Sequence, residues 1–116
     1  MNQKELKIRT KKFALRIIRL VDFLDREVVS GTLGKQLLRA GTSVGANYRA
    51  ACRARSPAEF NAKIGVVLEE SDECGYWLEL LVESSRIKPN QAADLQTEAS
   101  ELTAIFVTTL RSSKEN

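Results

Sequence analysis

Apolar residues recur every three or four positions along almost the whole chain, and four such stripes predict four α-helices. We expect the helices over about residues 5–29, 33–54, 57–85 and 91–112. The expected breaks are Ser30-Gly31-Thr32, the segment before Pro57, and a short connection that contains Pro89. Because no stretch alternates as a strand does, the pattern predicts an all-α fold, an antiparallel up-down-up-down four-helix bundle in one domain over residues 1–116.

Each stripe identifies the residues that we expect in the core. They are Leu6, Phe13, Ile17, Leu20, Leu24 and Val28 in helix 1; Leu33, Leu37, Ala40, Val44, Tyr48 and Ala51 in helix 2; Phe60, Ile64, Val67, Leu68, Ser71, Cys74, Gly75, Leu78 and Val82 in helix 3; and Leu95, Ala99, Leu102, Phe106 and Leu110 in helix 4. The clearest helix start is Ser56-Pro57-Ala58-Glu59, a capping box with proline at the first helical position. Asn90 is expected to cap helix 4, and residues 113–116 are expected to fray.

Helix 2 is unusual because it contains three glycines, Gly34, Gly41 and Gly45, each of which costs a helix about 1 kcal/mol relative to alanine. Small residues allow another backbone to approach closely, so we interpret a second, small-residue face of helix 2 as an assembly surface. Three apolar residues of helix 3 lie off its core stripe and extend this prediction, although isolated exposed apolar residues are common. The predicted oligomer interface is Leu38, Gly41, Gly45, Cys52, Val66, Trp77 and Leu80.

Charge is divided unevenly along the chain. Residues 1–56 contain 13 Lys/Arg and 4 Asp/Glu, whereas residues 57–116 contain 5 and 11. This asymmetry predicts a basic surface that contacts nucleic acid phosphates with little sequence preference. The alternative is that these side chains are solvated or pair with the acidic helix 3 of a neighbouring copy. The candidate nucleic-acid surface is Arg9, Lys12, Arg16, Arg19, Arg26, Lys35, Arg49, Arg53 and Arg55.

A polar cluster is predicted between helices 2 and 3. Arg39, Ser43 and Asn47 follow one another at intervals of four on the flank of the helix 2 stripe, and Glu70 and Glu73 flank the stripe of helix 3. A charge at the edge of a core must be paired, so we interpret these residues as a structural network that fixes helix register. The alternative is a polar binding site between the two helices.

Catalytic and metal chemistry are not indicated. The chain contains no histidine, which removes the commonest general base and metal ligand, and its acidic residues lack the Glu-x-x-His pattern of di-iron bundles. We expect no catalytic residue, metal, cofactor or small-molecule substrate. Cys52 and Cys74 are too few for a disulfide framework and are expected to be reduced apolar residues. No apolar run approaches the length of a membrane span, and no signal peptide is evident, so a cytoplasmic location is expected.

Two blocks of sequence resemble a known bacterial family. Residues 38–49, LRAGTSVGANYR, are similar to the signature of the 23S ribosomal RNA intervening-sequence proteins, and residues 69–78, EESDECGYWL, are similar to that family's acidic helix. Phe60 and Lys63 fit the start of the same helix, and the resemblance spans about residues 13–110. The chain departs from many relatives at Ala50 and Ala51, where Glu and Gly are frequent, so a role of that glutamate does not carry over.

The resemblance implies a four-helix bundle that assembles into a symmetric ring, with the homopentamer as the described state, and it implies no enzymatic activity. The related accessory variability determinant proteins of diversity-generating retroelements bind nucleic acid and a reverse transcriptase through a basic surface. We therefore interpret the chain as a non-enzymatic homo-oligomer that binds RNA or DNA through a basic surface. The alternative from another class is a protein–protein interaction adaptor with no nucleic-acid role.

Overall fold

Four helices make up the computed structural model of this chain, which describes residues 1–115. They are α1 (Gln3–Phe23), α2 (Val28–Cys52), α3 (Pro57–Glu83) and α4 (Pro89–Glu115), and the described residues contain no strand. The molecule measures 46 × 20 × 19 Å, which is little longer than one helix of 27 residues at about 1.5 Å per residue. The helices therefore lie side by side along one long axis, and the prediction of an all-α bundle is confirmed.

Each helix packs against the next one along the chain, and α4 returns loosely against α1. The predicted stripes supply most of the core: Phe13, Ile17, Leu37, Val44, Ile64, Leu78, Leu102 and Phe106 are all fully buried. Leu81 is also fully buried, although the stripe assigned to helix 3 does not include it. Thr10 lies in the core as well, where its hydroxyl donates to the carbonyl of Leu6 at 2.8 Å and so satisfies its hydrogen-bonding need.

The first break lies several residues earlier than the sequence indicates. The helix α1 ends at Phe23, and the Asp25 carboxylate accepts a hydrogen bond from the Glu27 amide at 2.9 Å, a local turn that reverses the chain. The expected break at Ser30-Gly31-Thr32 is wrong, since these residues lie inside α2 and Ser30 is fully buried. Val28, predicted in the core of helix 1, is 83% exposed and starts α2.

The start of α3 follows the predicted capping box. The Ser56 hydroxyl accepts a hydrogen bond from the Glu59 amide at 3.1 Å, and Pro57 occupies the first helical position. The Glu59 carboxylate reaches back to the amide of Arg55, one residue before the capping serine. Because this exchange fixes the chain entry, the predicted start at residue 57 is confirmed.

The turn between α3 and α4 ends one helix sharply and begins the next. Ser85 has a φ of 63°, a left-handed conformation that commonly terminates helices, and the Arg86 amide donates to the Leu81 carbonyl at 2.9 Å. The helix α4 then begins at Pro89, where the Gln91 side chain accepts from the Lys88 amide at 2.7 Å. Asn90 is therefore not the cap. The helix continues to Glu115, so residues 113–115 are not frayed, and Asn116 lies outside the described residues.

The glycines of α2 allow α1 to approach closely. A Cβ atom at Gly41 would lie 2.9 Å from two carbons of Ile17, and one at Gly45 would lie 3.2 Å from the hydroxyl of Thr10. A Cβ atom at Gly34 would likewise lie 3.0 Å from a side-chain carbon of Leu24. The small face of α2 is thus buried against α1 of the same chain.

Candidate functional site

The predicted pairing of Arg39 with the acidic helix is present. The Arg39 guanidinium donates to the Glu70 carboxylate at 2.9 Å and to the Glu73 carboxylate at 3.3 Å. The Glu70 side chain is only 11% exposed, whereas that of Arg39 is 51% exposed. Because a carboxylate removed from water needs a partner, Arg39 compensates the burial of Glu70 from the solvent side.

The rest of the predicted cluster is arranged differently. The Asn47 amide donates to the backbone carbonyl of Ser43 at 2.9 Å, within α2, and does not reach Glu70. The cross-helix polar contact that the sequence reasoning missed joins α3 and α4, where the hydroxyls of Ser71 and Thr103 lie 3.1 Å apart. The available signal was Ser71 on the helix 3 stripe and Thr103 beside the helix 4 stripe. The cluster therefore contains one Arg–carboxylate network and separate local hydrogen bonds.

Burial changes the acidity of two groups beside this network. It raises the pKa of the Glu73 carboxyl, and the charge of Glu70 raises it further, while Arg39 acts in the opposite direction. Burial also raises the pKa of the Cys74 thiol to about 12. Thiolate is the reactive form of cysteine, so Cys74 is a buried apolar residue and not a nucleophile. Cys52 is a half-buried free cysteine.

Part of the predicted basic edge of α1 is neutralised by α4. Arg9 donates from Nε and from one terminal nitrogen to the Glu98 carboxylate at 2.8 and 2.7 Å, a bidentate pair, and it also approaches Glu101 at 3.5 Å. Further along the same seam, Arg16 and Arg19 line a cavity of about 400 Å³ together with Asp94. This side of the molecule is therefore mixed in charge, because the acids of α4 in the same chain face the bases of α1.

A group of exposed cations lies at one end of the bundle. Residues from the start of α1, the end of α2, the start of α3 and the end of α4 line one cavity of about 350 Å³ that includes Gln3, Cys52, Pro57 and Ser113. We call this the basic end. The exposed cations in the helix segments that end there are Lys4, Lys7, Arg49, Arg53, Arg55, Arg111 and Lys114, and the glutamates in those segments are Glu5, Glu59 and Glu115.

The structure separates the remaining predicted nucleic-acid residues from this end. Arg26 lies in the connection between α1 and α2, and Lys35 is exposed on the first half of α2. Lys12 lies farther along α1 than Arg9, and so outside the basic end. Of the nine candidates, Arg49, Arg53 and Arg55 form the densest exposed group, and none of the three forms an ion pair among the described residues.

The predicted oligomer interface requires correction. Gly41 and Gly45 are buried against α1, so they cannot meet a neighbouring copy. Trp77 and Cys52 are half-buried and pack against the core, Leu38 and Leu80 are half-buried, and Val66 is 39% exposed. The sequence reasoning overlooked a different apolar row, Ile8, Leu15 and Ile18 on α1, which are 49%, 43% and 37% exposed. Their spacing of seven and three residues was the available signal.

Other kinds of site find little support in the described part of the chain. Residues 1–115 contain no group of three or more Cys, Asp and Glu side chains arranged to hold a metal ion. None of the four described helices has a stretch long and apolar enough to cross a membrane.

Comparison with known proteins agrees with this architecture. A crystal structure from Bacteroides thetaiotaomicron, described as a protein with unknown function from the S23 ribosomal protein family, is 35% identical to this chain. It superposes with a TM-score of 0.88, and the match covers 96% of this chain and 99% of that one. No curated protein matches the chain significantly. The family described as 23S rRNA-intervening sequence protein matches residues 4–108. The chain therefore belongs to the 23S rRNA-intervening sequence protein family.

Proposed function

We propose that this protein is a non-enzymatic homo-oligomer that binds structured RNA through its basic end. The observation that carries the proposal is that the ends of all four helices meet around one cavity, and that Arg53, Arg55, Lys4 and Lys114 directly neighbour its lining residues in the sequence. Phosphate binding requires only cations that can gather around a nucleic acid backbone.

An up-down-up-down topology is part of the proposal, and three contacts between α1 and α2 support it. Gly34 packs against Leu24, Gly41 against Ile17, and Gly45 against Thr10. Residue numbers therefore rise along α2 as the numbers of the facing residues fall, which is the pattern of two antiparallel helices. The short connections after α2 and α3 and the shared cavity at the basic end favour the same arrangement for the remaining helices.

Self-association is the second part of the proposal. The exposed row of Ile8, Leu15 and Ile18 supports it, because exposed apolar side chains grouped along one helix are typical of interaction sites. The pentameric ring is the form that the family resemblance implies. In a ring, each copy would present its basic end again, and the added phosphate contacts would strengthen binding through avidity.

The expected binding mode is electrostatic. The exposed aromatic residues of the described chain, Phe23 and Tyr76, lie away from the basic end, and Phe60, which lines its cavity, packs half-buried against the core, so base stacking should contribute little there. Binding should therefore show weak sequence preference and fall steeply with salt. The family is described by its association with 23S rRNA intervening sequences, which makes a folded RNA the first ligand to test. A cytoplasmic location is part of this proposal.

The test is filter binding of a structured RNA at several salt concentrations with wild type and with Arg53→Ala/Arg55→Ala. Loss of two phosphate contacts should weaken binding at every salt concentration and lower the slope of log K against log salt by roughly 2. The matched control is Arg26→Ala/Lys88→Ala, which removes two exposed cations from the connections outside the basic end and should leave the slope unchanged.

Two outcomes would contradict the proposal. If wild type retains no RNA at low salt, the protein has no nucleic-acid role, and the protein–protein adaptor becomes the better interpretation. If the two double variants lose affinity equally, RNA binds through net charge and not through the basic end.

A further inference from the structure

The outer surface of α1 carries an apolar row that nothing in the described chain covers. Ile8, Leu15 and Ile18 lie on the side of the helix opposite the core residues Phe13 and Ile17, at a spacing that keeps them on one face. Lys11 and Lys12 lie between Ile8 and Leu15 on the same helix, and Lys11 is the one that also lines the neighbouring groove between α1 and α2. This surface, the α1 row, is a convex apolar ridge with a positive charge in it.

A groove between α1 and α2 borders the α1 row. It has a volume of about 470 Å³, and its lining includes the small residues Ala14, Gly45 and Ala46. Its charged lining residues are the cations Lys7, Lys11 and Arg49, and no acidic residue of the described chain lines it. The groove therefore combines small residues with a positive charge.

A second groove, between α3 and α4, has the opposite charge. It has a volume of about 450 Å³ and is lined by the carboxylates of Asp72 and Glu79, with no Lys or Arg of the described chain among its lining residues. A Cβ atom at Gly75, also in this lining, would meet nothing within 4 Å. The groove is therefore open above Gly75, and the ring of Tyr76, 54% exposed, stands beside it.

We propose that the α1 row of one copy lies in the α3/α4 groove of the next copy, with Lys11 facing Asp72 and Glu79. In the same contact, Tyr76 of the second copy lies in the α1/α2 groove of the first, over Ala14 and Ala46. This proposal rests on the self-association in the proposed function and names the two faces that meet. Charge complementarity carries it, since opposite potentials on two faces of one chain favour pairing between copies and fix its register.

The arrangement also satisfies the packing rules for helices. A ridge of larger side chains on α1 enters a groove lined by Gly75, Ala99 and Ser100, and Tyr76 enters the reciprocal groove. Burial of the α1 row removes exposed isoleucine and leucine from water, which favours association. Because the two faces differ, the contact is head to tail, and repeating it gives a closed ring or an open filament.

An RNA strand fits these faces poorly. The carboxylates of Asp72 and Glu79 would repel phosphates, and the aliphatic side chains of the α1 row would gain nothing from a phosphate backbone. A second copy of this chain supplies apolar surface that can cover the α1 row and carboxylates that can pair with Lys11.

Charge reversal tests the pairing by sedimentation velocity at micromolar concentration. Lys11→Glu and Asp72→Lys should each weaken association at least tenfold, because each places like charges against each other, and the combined variant should regain the wild-type mass. The matched control is Lys88→Glu, which reverses an exposed lysine in the connection between α3 and α4, outside the lining of both grooves, and should leave the mass unchanged. Circular dichroism of each variant establishes that the helices are intact.

The outcomes separate this inference from the proposed function. A monomeric wild-type protein would contradict the self-association itself, and with it this inference. An oligomeric wild type whose mass is unaffected by both single reversals, or whose combined variant stays dissociated, would overturn only the pairing of these two faces.

Discussion

Gly41 of α2 lies directly against Ile17 of α1, so closely that a Cβ atom added to the glycine would lie 2.9 Å from two side-chain carbons of the isoleucine. Ile17 is fully buried and branched at Cβ, so its side chain cannot rotate away without losing its own packing. The glycine thus sets the distance between the two helices. Its cost to helix stability is offset by the close approach of α1.

Gly41→Ala should therefore destabilise the protein by about 1–2 kcal/mol, since overpacking outweighs the gain in helix propensity. Urea unfolding followed by circular dichroism measures the change. Gly31→Ala is the matched control, because a Cβ atom there would meet nothing within 4 Å inside the same helix. That substitution should stabilise the protein by about 0.5–1 kcal/mol. Equal effects of the two substitutions would show that Gly41 does not limit the approach of α1.

The Arg39–Glu70 pair gives a second prediction. Arg39→Ala leaves the buried Glu70 carboxylate without its main partner, and the cost should be about 1–2 kcal/mol of unfolding free energy. Glu70→Gln removes the charge, so the further loss on adding Arg39→Ala should be much smaller. A double-mutant cycle in urea measures this coupling. Additive effects of the two substitutions would mean that the 2.9 Å contact contributes nothing to stability.

A third prediction concerns pH. The folded-state pKa of Glu73 is raised, first by burial and then by the charge of Glu70, so the folded protein binds a proton more readily than the unfolded chain does. Stability from this group should therefore rise as pH falls from 7 through the raised folded-state pKa toward the unfolded value of about 4.3. Urea midpoints at pH 7 and pH 5 should show a smaller acid-side gain for Glu73→Gln than for wild type. An identical gain in stability for the variant and the wild type would show that Glu73 is not the group whose protonation stabilises the folded protein.

Helices, core and capping were largely predictable from the sequence, because stripes of apolar residues and the Ser56–Glu59 capping box are local signals. The first break was not predictable. Gly31 looks like a helix stop, but a glycine inside a helix costs only about 1 kcal/mol, and the packing of Gly34 and Leu37 into the bundle overrides that preference. The actual turn is held by hydrogen bonds within the connection, including those from the Glu27 amide to the Asp25 carboxylate and from the Gly31 amide to the Glu27 carbonyl.

The surfaces were harder to predict than the core. Periodicity shows that α2 has a second small face, but not whether α1 of the same chain or another copy covers it, and the structure assigns that face to α1. Likewise, the basic residues of α1 are visible in the sequence, whereas the pairing of Arg9 with Glu98 joins positions 89 residues apart. Long-range pairing of this kind decides which cations remain available to a ligand.

The central claim is that the chain works as an assembly of identical copies, and the native mass tests it most directly. Sedimentation velocity at micromolar concentration should give an integral multiple of 12.9 kDa, five copies for the ring that the family resemblance implies. A single species of 12.9 kDa at that concentration would contradict the account.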